Sequence, residues 1–281
     1  MKRPVALALA LAILPAAVTA GAPGPDAGPA GHLPAPAIMA AQSATAVAEP
    51  AAVAAPASAM LQPGRFAIDY QLRYGALSAT LKLRLEQIDA NGNYRISATT
   101  KGRGLARLFM SHELLEYSEF SFEDGLVVSR DYQLDSGKKS GEDTGSILFD
   151  WQKLSADSVY EGDVAELQLG DDVYDRISAD VVVIMDLRNG RQPRDMRVAE
   201  KNQLRDHTFT FEGEERIATP AGEFDAVRYL RQRTGSSRAT RIWYARDTGY
   251  LPVQMEQLKD GKTTVTSKAK FVSLNGANTS T

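Results

Sequence analysis

Apolar and polar residues alternate along two long segments that follow residue 62 of the chain. Side chains of a β-strand point alternately to opposite faces, so this period of two predicts strands with one apolar and one polar face. Residues 89–92 (Asp-Ala-Asn-Gly) predict the turn that follows, and a third strand begins at Tyr94. The alternating apolar residues are Phe66, Ile68, Tyr70, Leu72 and Tyr74 in the first segment, and Leu77, Ala79, Leu81, Leu83 and Leu85 in the second.

The same period of two recurs through the rest of the chain, at residues 126–134, 207–211, 227–229 and 253–255. Short turns that contain Gly or Asp separate these segments, which is typical of an antiparallel meander. A sheet with one apolar face on nearly every strand has to curl around its own core. We therefore predict a mainly β fold, a curved antiparallel sheet or open β-barrel of about 10–12 strands.

Two segments depart from the alternation and predict helices. Residues 105–109, which follow Gly102 and Gly104, fit one or two helical turns. The second segment ends at Asn189-Gly190, a helix stop signal. Its residues at helical spacing are Ile177, Val181, Ile184, Met185 and Arg188. Because a sheet that does not close leaves an apolar mouth, we expect one or two short helices to cover it.

The first 62 residues predict export and a spacer. Lys2 and Arg3 precede a short apolar run, and the small residues up to Ala20 suit signal peptidase, so residues 1–20 are predicted to be a cleavable signal peptide. Residues 21–62 are rich in Ala and Pro and predict a disordered tether. We expect a single β-rich domain at residues 63–275, a flexible tail at 276–281, and a periplasmic protein that does not span the membrane.

Composition removes several classes of function. The chain has no Cys and a formal net charge of -3, which excludes disulfides and thiolate chemistry and argues against nucleic-acid binding. The predicted domain holds two histidines, His112 and His207, and no motif places either in a Ser-His-Asp triad or a metal site. Phosphate-binding glycine loops are absent from the sequence. We therefore predict a protein that is not an enzyme, with no catalytic residue, no metal and no cofactor.

Arginines are concentrated in one predicted hairpin, around a turn at residues 234–237, and no Asp or Glu occurs between residues 228 and 244. Guanidinium groups match the geometry of phosphate and carboxylate groups, so this hairpin predicts a contact with an anionic head group. The alternative is a solvated face whose arginines pair with acids from other strands. The candidate head-group contacts are Arg231, Arg233, Arg238 and Arg241.

Several local patterns together resemble the exported bacterial family catalogued as domain of unknown function 3108. They are residues 147–151 (Ile-Leu-Phe-Asp-Trp), 175–178 (Asp-Arg-Ile-Ser), 217–224 (Ile-Ala-Thr-Pro-Ala-Gly-Glu-Phe), 241–247 (Arg-Ile-Trp-Tyr-Ala-Arg-Asp) and 251–253 (Leu-Pro-Val). The resemblance covers residues 66–258. It implies an envelope protein of Gram-negative bacteria with no established activity, and it transfers no catalytic residue. More distantly, the predicted architecture is similar to that of periplasmic lipoprotein carriers.

The leading hypothesis is a periplasmic protein that holds an apolar or amphipathic molecule, such as a lipid, a lipopolysaccharide or a lipoprotein, in the concave face of the sheet. The predicted wall residues are Tyr70, Leu72, Leu83, Trp151, Met185 and Trp243. One alternative is an envelope scaffold or adaptor that binds other proteins through a sheet edge. Another is a hydrolase of cell-wall glycan or lipid.

Overall fold

The computed structural model describes residues 62–278, so the predicted signal peptide and nearly all of the predicted tether lie outside the described residues. Within that range the chain forms sixteen strands, one α-helix and two short 3-10 helices. The helices are α1 (Ser178–Arg188) and the 3-10 helices Gly104–Leu108 and Arg246–Thr248. The strands are β1 (Phe66–Tyr74), β2 (Leu77–Gln87), β3 (Asn93–Arg103), β4 (Leu114–Glu123), β5 (Leu126–Asp135), β6 (Gly145–Asp150), β7 (Ser155–Tyr160), β8 (Asp163–Gln168), β9 (Val173–Asp175), β10 (Met196–Glu200), β11 (Gln203–Thr219), β12 (Gly222–Arg233), β13 (Arg238–Ala245), β14 (Leu251–Lys259), β15 (Lys262–Leu274) and β16 (Ala277–Asn278).

All of these strands belong to one sheet. Its order is β8-β7-β6-β5-β4-β3-β2-β1-β15-β14-β13-β12-β11-β10-β9, and β16 pairs with β15. Neighbouring strands are antiparallel except β9 and β10, which are parallel. The path runs from β8 to β9 without closing. The mainly β fold and the curved, open antiparallel sheet are therefore confirmed.

The sheet has more strands than the alternation predicts. The additional strands include β6 to β10, each of which is only 3 to 6 residues long. A pattern with a period of two needs several repeats before it stands out from chance, and β9 has no polar-out position because all three of its residues are buried. Short strands of this kind depend on hydrogen bonds to neighbouring strands of the sheet, and the pattern of apolar residues along the sequence does not reveal those partners.

The pattern of the first strands is confirmed in the sheet register. Tyr70 pairs with Leu81, and Ile68 pairs with Leu83. These four side chains lie on the buried face, while the alternate residues of β1 are partly buried or, at Arg73, exposed. The period of two therefore places an apolar layer from β1 and β2 in the core, as the pleat of a strand requires.

Helix α1 forms where its spacing predicts it, but it is enclosed rather than laid across an opening. Every residue from Ser178 to Leu187 is buried. A helix that covers a mouth would keep one polar face in water, whereas a helix that is buried all around belongs to the core. The curved sheet therefore wraps around α1, and the helix fills part of the concave space.

Tyr70 connects the core to the backbone of β14. Its hydroxyl donates a hydrogen bond of 2.5 Å to the carbonyl oxygen of Pro252, and the Tyr70 side chain is fully buried. Burial raises the pKa of this hydroxyl well above its ordinary value, because the phenolate form would lie in an apolar region close to Asp180. Tyr70 is therefore a neutral donor at every physiological pH.

Replacing Tyr70 with Phe is expected to lower the free energy of unfolding by about 1 kcal/mol, because a buried acceptor loses its donor while the ring stays in place. Urea unfolding followed by tryptophan fluorescence measures this loss. Tyr74→Phe is the matched control, since Tyr74 is only partly buried and its hydroxyl makes no hydrogen bond within residues 62–278. Equal stability of the two variants would contradict the role assigned to the Tyr70 hydroxyl.

Candidate functional site

Four of the predicted wall residues lie together in the interior. Tyr70, Leu72, Leu83 and Met185 are all buried members of one hydrophobic core. Trp151 is partly buried and packs at the edge of this core, where its indole stacks on Phe149 and donates a hydrogen bond of 2.7 Å to the carbonyl of Ser129.

Trp243 lies on the opposite face of the sheet from the other predicted wall residues. Its indole nitrogen donates a hydrogen bond of 2.8 Å to Glu215, and the guanidinium of Arg228 lies 5.9 Å from the ring centre. The neighbours of Trp243 in β13, Ile242 and Tyr244, point into the core instead. The alternation of a strand therefore places Trp243 among charged groups of the outer face.

The described residues enclose a small cavity beside α1. This cavity is bordered by Phe66, Leu85, Val181 and Met185 and has a volume of about 10 Å³. That is close to the space that a single water molecule requires, whereas ligand pockets usually measure about 300–1,000 Å³. The predicted wall residues around α1 therefore pack as a core.

Three of the four candidate head-group arginines already have acidic partners. Arg231 donates a hydrogen bond of 2.7 Å to Asp180 of α1, and Arg233 lies 3.7 Å from Glu200 of β10. Arg241 pairs at 2.5 Å with Glu212 of β11 on the outer face. The structure thus follows the alternative of arginines paired with acids from elsewhere in the fold.

Arg238 differs from the other three arginines of the hairpin. It is partly exposed at the start of β13 and makes no ion pair within the part of the chain that the structure describes. The four arginines therefore do not converge on one site, because Arg231 and Arg233 are buried while Arg241 belongs to the outer face.

A buried polar network joins the start of α1 to both halves of the sheet. Asp175 accepts hydrogen bonds from the backbone N–H groups of Ile177 (3.1 Å) and Ser178 (3.0 Å), which satisfies free donors at the beginning of the helix. The Ser118 hydroxyl of β4 donates a further bond of 2.6 Å to Asp175. Burial raises the pKa of Asp175, although these hydrogen bonds oppose the shift.

Arg176 continues the network toward β5. Its Nε lies 3.4 Å from Glu116, and the Tyr132 hydroxyl donates a hydrogen bond of 2.6 Å to the same carboxylate. Burial raises the pKa of Glu116, and the positive charge of Arg176 opposes that shift. Nε and Nη2 of Arg176 are buried and have no hydrogen-bond partner within residues 62–278.

His207 is buried in β11 on the core side of the sheet. Within the described residues neither ring nitrogen has a hydrogen-bond partner. Burial, together with the positive charges of Arg231 and Arg233, lowers the pKa of His207 to about 3. The imidazole is therefore neutral at physiological pH.

The described residues contain no cluster of three or more acidic or histidine side chains that could hold a metal ion. His112 lies in the exposed connection between β3 and β4, apart from the buried network. The buried groups described above compensate one another's charge and stabilise the start of α1. These groups therefore contribute to packing and to capping of α1.

Apolar side chains are exposed at the connection between β3 and β4. Leu105, Leu108 and Phe109 are 67%, 78% and 47% exposed, whereas Ala106 between them is buried. We call residues 104–109 the apolar tip. Sequence analysis identifies this segment only as helical turns, because exposure depends on what packs over it.

The backbone holds the apolar tip against the sheet. Phe109 and Met110 both donate backbone hydrogen bonds to the carbonyl of Ala106, at 3.0 and 2.8 Å. A Cβ at Gly102 would come within 3.2 Å of that carbonyl, so the close approach of the turn to β3 favours a glycine at this position. Ala106 therefore anchors the turn to the sheet, while Leu105 and Leu108 remain exposed.

Basic residues occur within the apolar tip and in the row of the sheet next to it. In the register of the sheet Arg73 of β1 pairs with Ser78 of β2, and Ser78 pairs with Arg103 of β3. The two arginines thus lie in one row, about 10 Å apart across two strands. Arg107 belongs to the tip itself, and none of these three arginines makes an ion pair with another residue of the described range.

A single open, mainly antiparallel sheet wrapped around one buried helix defines a β-barrel-like protein. Residues 66–268 match the family described as "Protein of unknown function (DUF3108)", and the chain belongs to that family. The resemblance carried by the short motifs is thereby confirmed. No curated protein is similar to this chain in sequence.

Several solved structures are similar to this chain at low identity. A β-barrel-like protein of domain of unknown function DUF1849 from Brucella abortus has 9% identity and a TM-score of 0.46, with 76% of this chain and 98% of that chain covered. A putative exported protein with a YmcC-like fold from Bacteroides fragilis has 14% identity and a TM-score of 0.35, with coverage of 75% and 96%. The Pseudomonas aeruginosa MucA/MucB complex contains a chain with 12% identity and a TM-score of 0.37, with coverage of 77% and 53%.

No helix in residues 62–278 has both the length and the apolar character that crossing a bilayer requires.

Proposed function

We propose that this is a non-enzymatic periplasmic protein of the cell envelope, which binds amphipathic envelope molecules by placing its apolar tip in the surface of an anionic lipid layer. The observation that supports this proposal is the exposure of Leu105, Leu108 and Phe109 on one short turn. Exposed apolar groups that cluster and are bordered by polar residues are typical of interaction sites.

The apolar tip has enough hydrocarbon to contribute to membrane binding. Burying a leucine or phenylalanine side chain contributes about 1.5–3 kcal/mol when the whole side chain leaves water. The two leucines are largely exposed in the free protein, so most of this free energy is available on insertion. The short turn reaches only the head-group and upper acyl region, which is the depth of interfacial segments.

The charge around the tip favours an anionic surface. Arg73, Arg103 and Arg107 have no acidic partner among residues 62–278, so a lipid phosphate would not have to displace one. A basic residue near an anionic membrane surface contributes about 1 kcal/mol. Burial of the apolar side chains and attraction of the arginines to lipid phosphates therefore both favour binding of this region to an anionic lipid layer.

The shape of the tip favours a lipid layer over a folded protein. A stable protein interface usually buries about 800 Å² on each partner, which a convex turn of five or six residues cannot supply alone. A lipid layer closes around a projecting turn without a complementary surface. The interior is a weaker candidate for the ligand, because α1 occupies the space beside the predicted wall residues.

The double variant Leu105→Ser/Leu108→Ser is expected to bind vesicles that contain phosphatidylglycerol roughly a hundredfold more weakly than the natural protein, because two largely exposed leucines no longer leave water on binding. Vesicle flotation at several lipid concentrations measures the partition coefficient. Leu126→Ser/Leu148→Ser is the matched control, because these leucines are 49% and 60% exposed but lie on other parts of the sheet.

A second variant tests the electrostatic part of the proposal. Arg103→Gln/Arg107→Gln should reduce the preference for phosphatidylglycerol over phosphatidylcholine vesicles. The part of vesicle binding that comes from the apolar side chains of the tip should remain. Equal partition of the tip variant and its control would overturn the proposal. Capture of a protein partner with unchanged vesicle binding would also overturn it and favour an envelope adaptor instead.

A further inference from the structure

The turn between β10 and β11 lies against the β7–β8 hairpin. The Ser158 hydroxyl of β7 donates a hydrogen bond of 2.8 Å to the side-chain oxygen of Asn202, and the Asn202 amide donates one of 2.8 Å to the carbonyl of Asp163. β8 is the terminal strand of the open sheet. The two hydrogen bonds therefore fasten this end of the sheet to the β10–β11 turn. We call this contact the seam.

A small cavity lies at the seam. Its volume is about 10 Å³. Two cations, Arg176 and Lys201, border it, and none of the bordering residues in the described part of the chain is acidic. The remaining bordering residues are Tyr132, Leu134, Gly145, Ser146, Ile147, Ser158, Val159 and Tyr160.

Arg176 brings unused hydrogen-bond donors to this cavity. The residue is 3% exposed, and its buried Nε and Nη2 have no hydrogen-bond partner within residues 62–278. A buried guanidinium with unpartnered donors is costly unless another group accepts from it. Glu116 lies 3.4 Å from Nε, and Glu116 and Glu200 both favour the charge of Arg176, but neither is among the residues that border the cavity.

Lys201 brings a second positive charge. Its ammonium lies 4.8 Å from the centre of the Tyr160 ring, which holds the side chain at the seam. Burial lowers the pKa of Lys201, and the nearby charge of Arg176 lowers it further. Glu200, Asp143 and Glu161 act in the opposite direction on the pKa of Lys201, but none of them borders the cavity, where an anion between the two cations would stabilise both.

We propose that the seam is a binding site for a small oxyanion, in which one oxygen of a phosphate or carboxylate group enters the cavity and accepts from Arg176 while Lys201 pairs with the rest of the group. The cavity volume fits this assignment, because it is close to the space of one water-sized atom. The Ser146 and Ser158 hydroxyls border the same cavity and supply further donors. The site shares no residue with the apolar tip, so it does not depend on the function proposed above.

The test uses the exported chain labelled with ¹⁵N and titrated with inorganic phosphate, followed by the amide signals of Ser146 and Lys201. We expect a saturable shift of both signals. Lys201→Gln should weaken the binding about tenfold, the effect of losing one charge-assisted hydrogen bond. Lys153→Gln is the matched control, because Lys153 is 77% exposed and pairs with Asp150 in the β6–β7 turn.

An absence of saturable shifts, or equal affinities for the Lys201→Gln and Lys153→Gln variants, overturns the proposal, because occupancy by water alone would then explain the cavity. A parallel titration with dihexanoyl phosphatidic acid below its micelle concentration identifies the source of the anion. Tighter binding of this lipid supports a head group as the ligand, and equal binding supports a free anion.

Discussion

Replacing Arg231 with Met is expected to lower the free energy of unfolding by about 3–5 kcal/mol, because it leaves a buried carboxylate without its partner. Arg231 and Asp180 are 4% and 8% exposed, and their hydrogen bond measures 2.7 Å. Burial already raises the pKa of Asp180, and the Arg231 charge acts in the opposite direction. Without the arginine, folding requires either a buried negative charge or uptake of a proton by Asp180.

The double variant Arg231→Met/Asp180→Asn should recover a large part of the lost stability, since neither partner is then left as an isolated charge. Chemical denaturation of the two single variants and the double variant completes a mutant cycle. Arg216→Gln serves as the exposed control, because Arg216 and its partner Glu223 are 66% and 63% exposed. Such surface pairs contribute about 0–1 kcal/mol. A loss below about 1 kcal/mol for Arg231→Met would contradict the buried-pair interpretation.

The sequence predicts best those strands and helices whose own pattern of apolar and polar residues determines which side chains are buried. In β1 and β2 every second residue is apolar, and the pleat turns this period directly into a buried face. Helix α1 is predicted for a similar reason, because its apolar spacing and the stop at Asn189-Gly190 are local. Its complete enclosure is not local, since it depends on strands that wrap around the helix from distant parts of the chain.

The candidate arginines show why the site is harder to predict than the fold. Arg231 is 51 residues from its partner Asp180, and the partner of Arg233 lies in β10. The hairpin appears strongly basic in sequence because the neutralising acids belong to other elements. Trp243 is predicted to line the concave face, but its phase in β13 places it beside Arg228 and Glu215.

Exposure is likewise a property of tertiary structure. Residues 105–109 are predicted from the sequence as one or two helical turns that follow Gly102 and Gly104, but only the folded chain shows that nothing within residues 62–278 covers Leu105 and Leu108. The sequence likewise does not predict the unpartnered donors of Arg176, because they depend on which distant residues surround its side chain in the fold. Both proposals rest on features that alternation and motifs do not report.

Stability is expected to fall on acidification, with a contribution of about 3 kcal/mol from His207 between pH 7 and pH 4. The pKa of this imidazole is about 3 in the folded protein, compared with an ordinary value of 6.5. Between these two values the unfolded chain binds a proton that the folded chain does not bind. Lowering the pH therefore favours the unfolded state, by about 1.4 kcal/mol for each pH unit.

The comparison with His207→Leu isolates this contribution. Burial raises the pKa of Glu116, Glu200 and Asp175, so these carboxyl groups bind protons more readily in the folded state and favour folding as the pH falls. Their effect has the opposite sign and is common to both proteins, so it cancels in the difference. Urea unfolding at several pH values between 7 and 4 should show that the variant loses about 3 kcal/mol less than the natural protein. Parallel stability curves for the two proteins would mean that His207 keeps an ordinary pKa and has an acceptor or water that stabilises its charge.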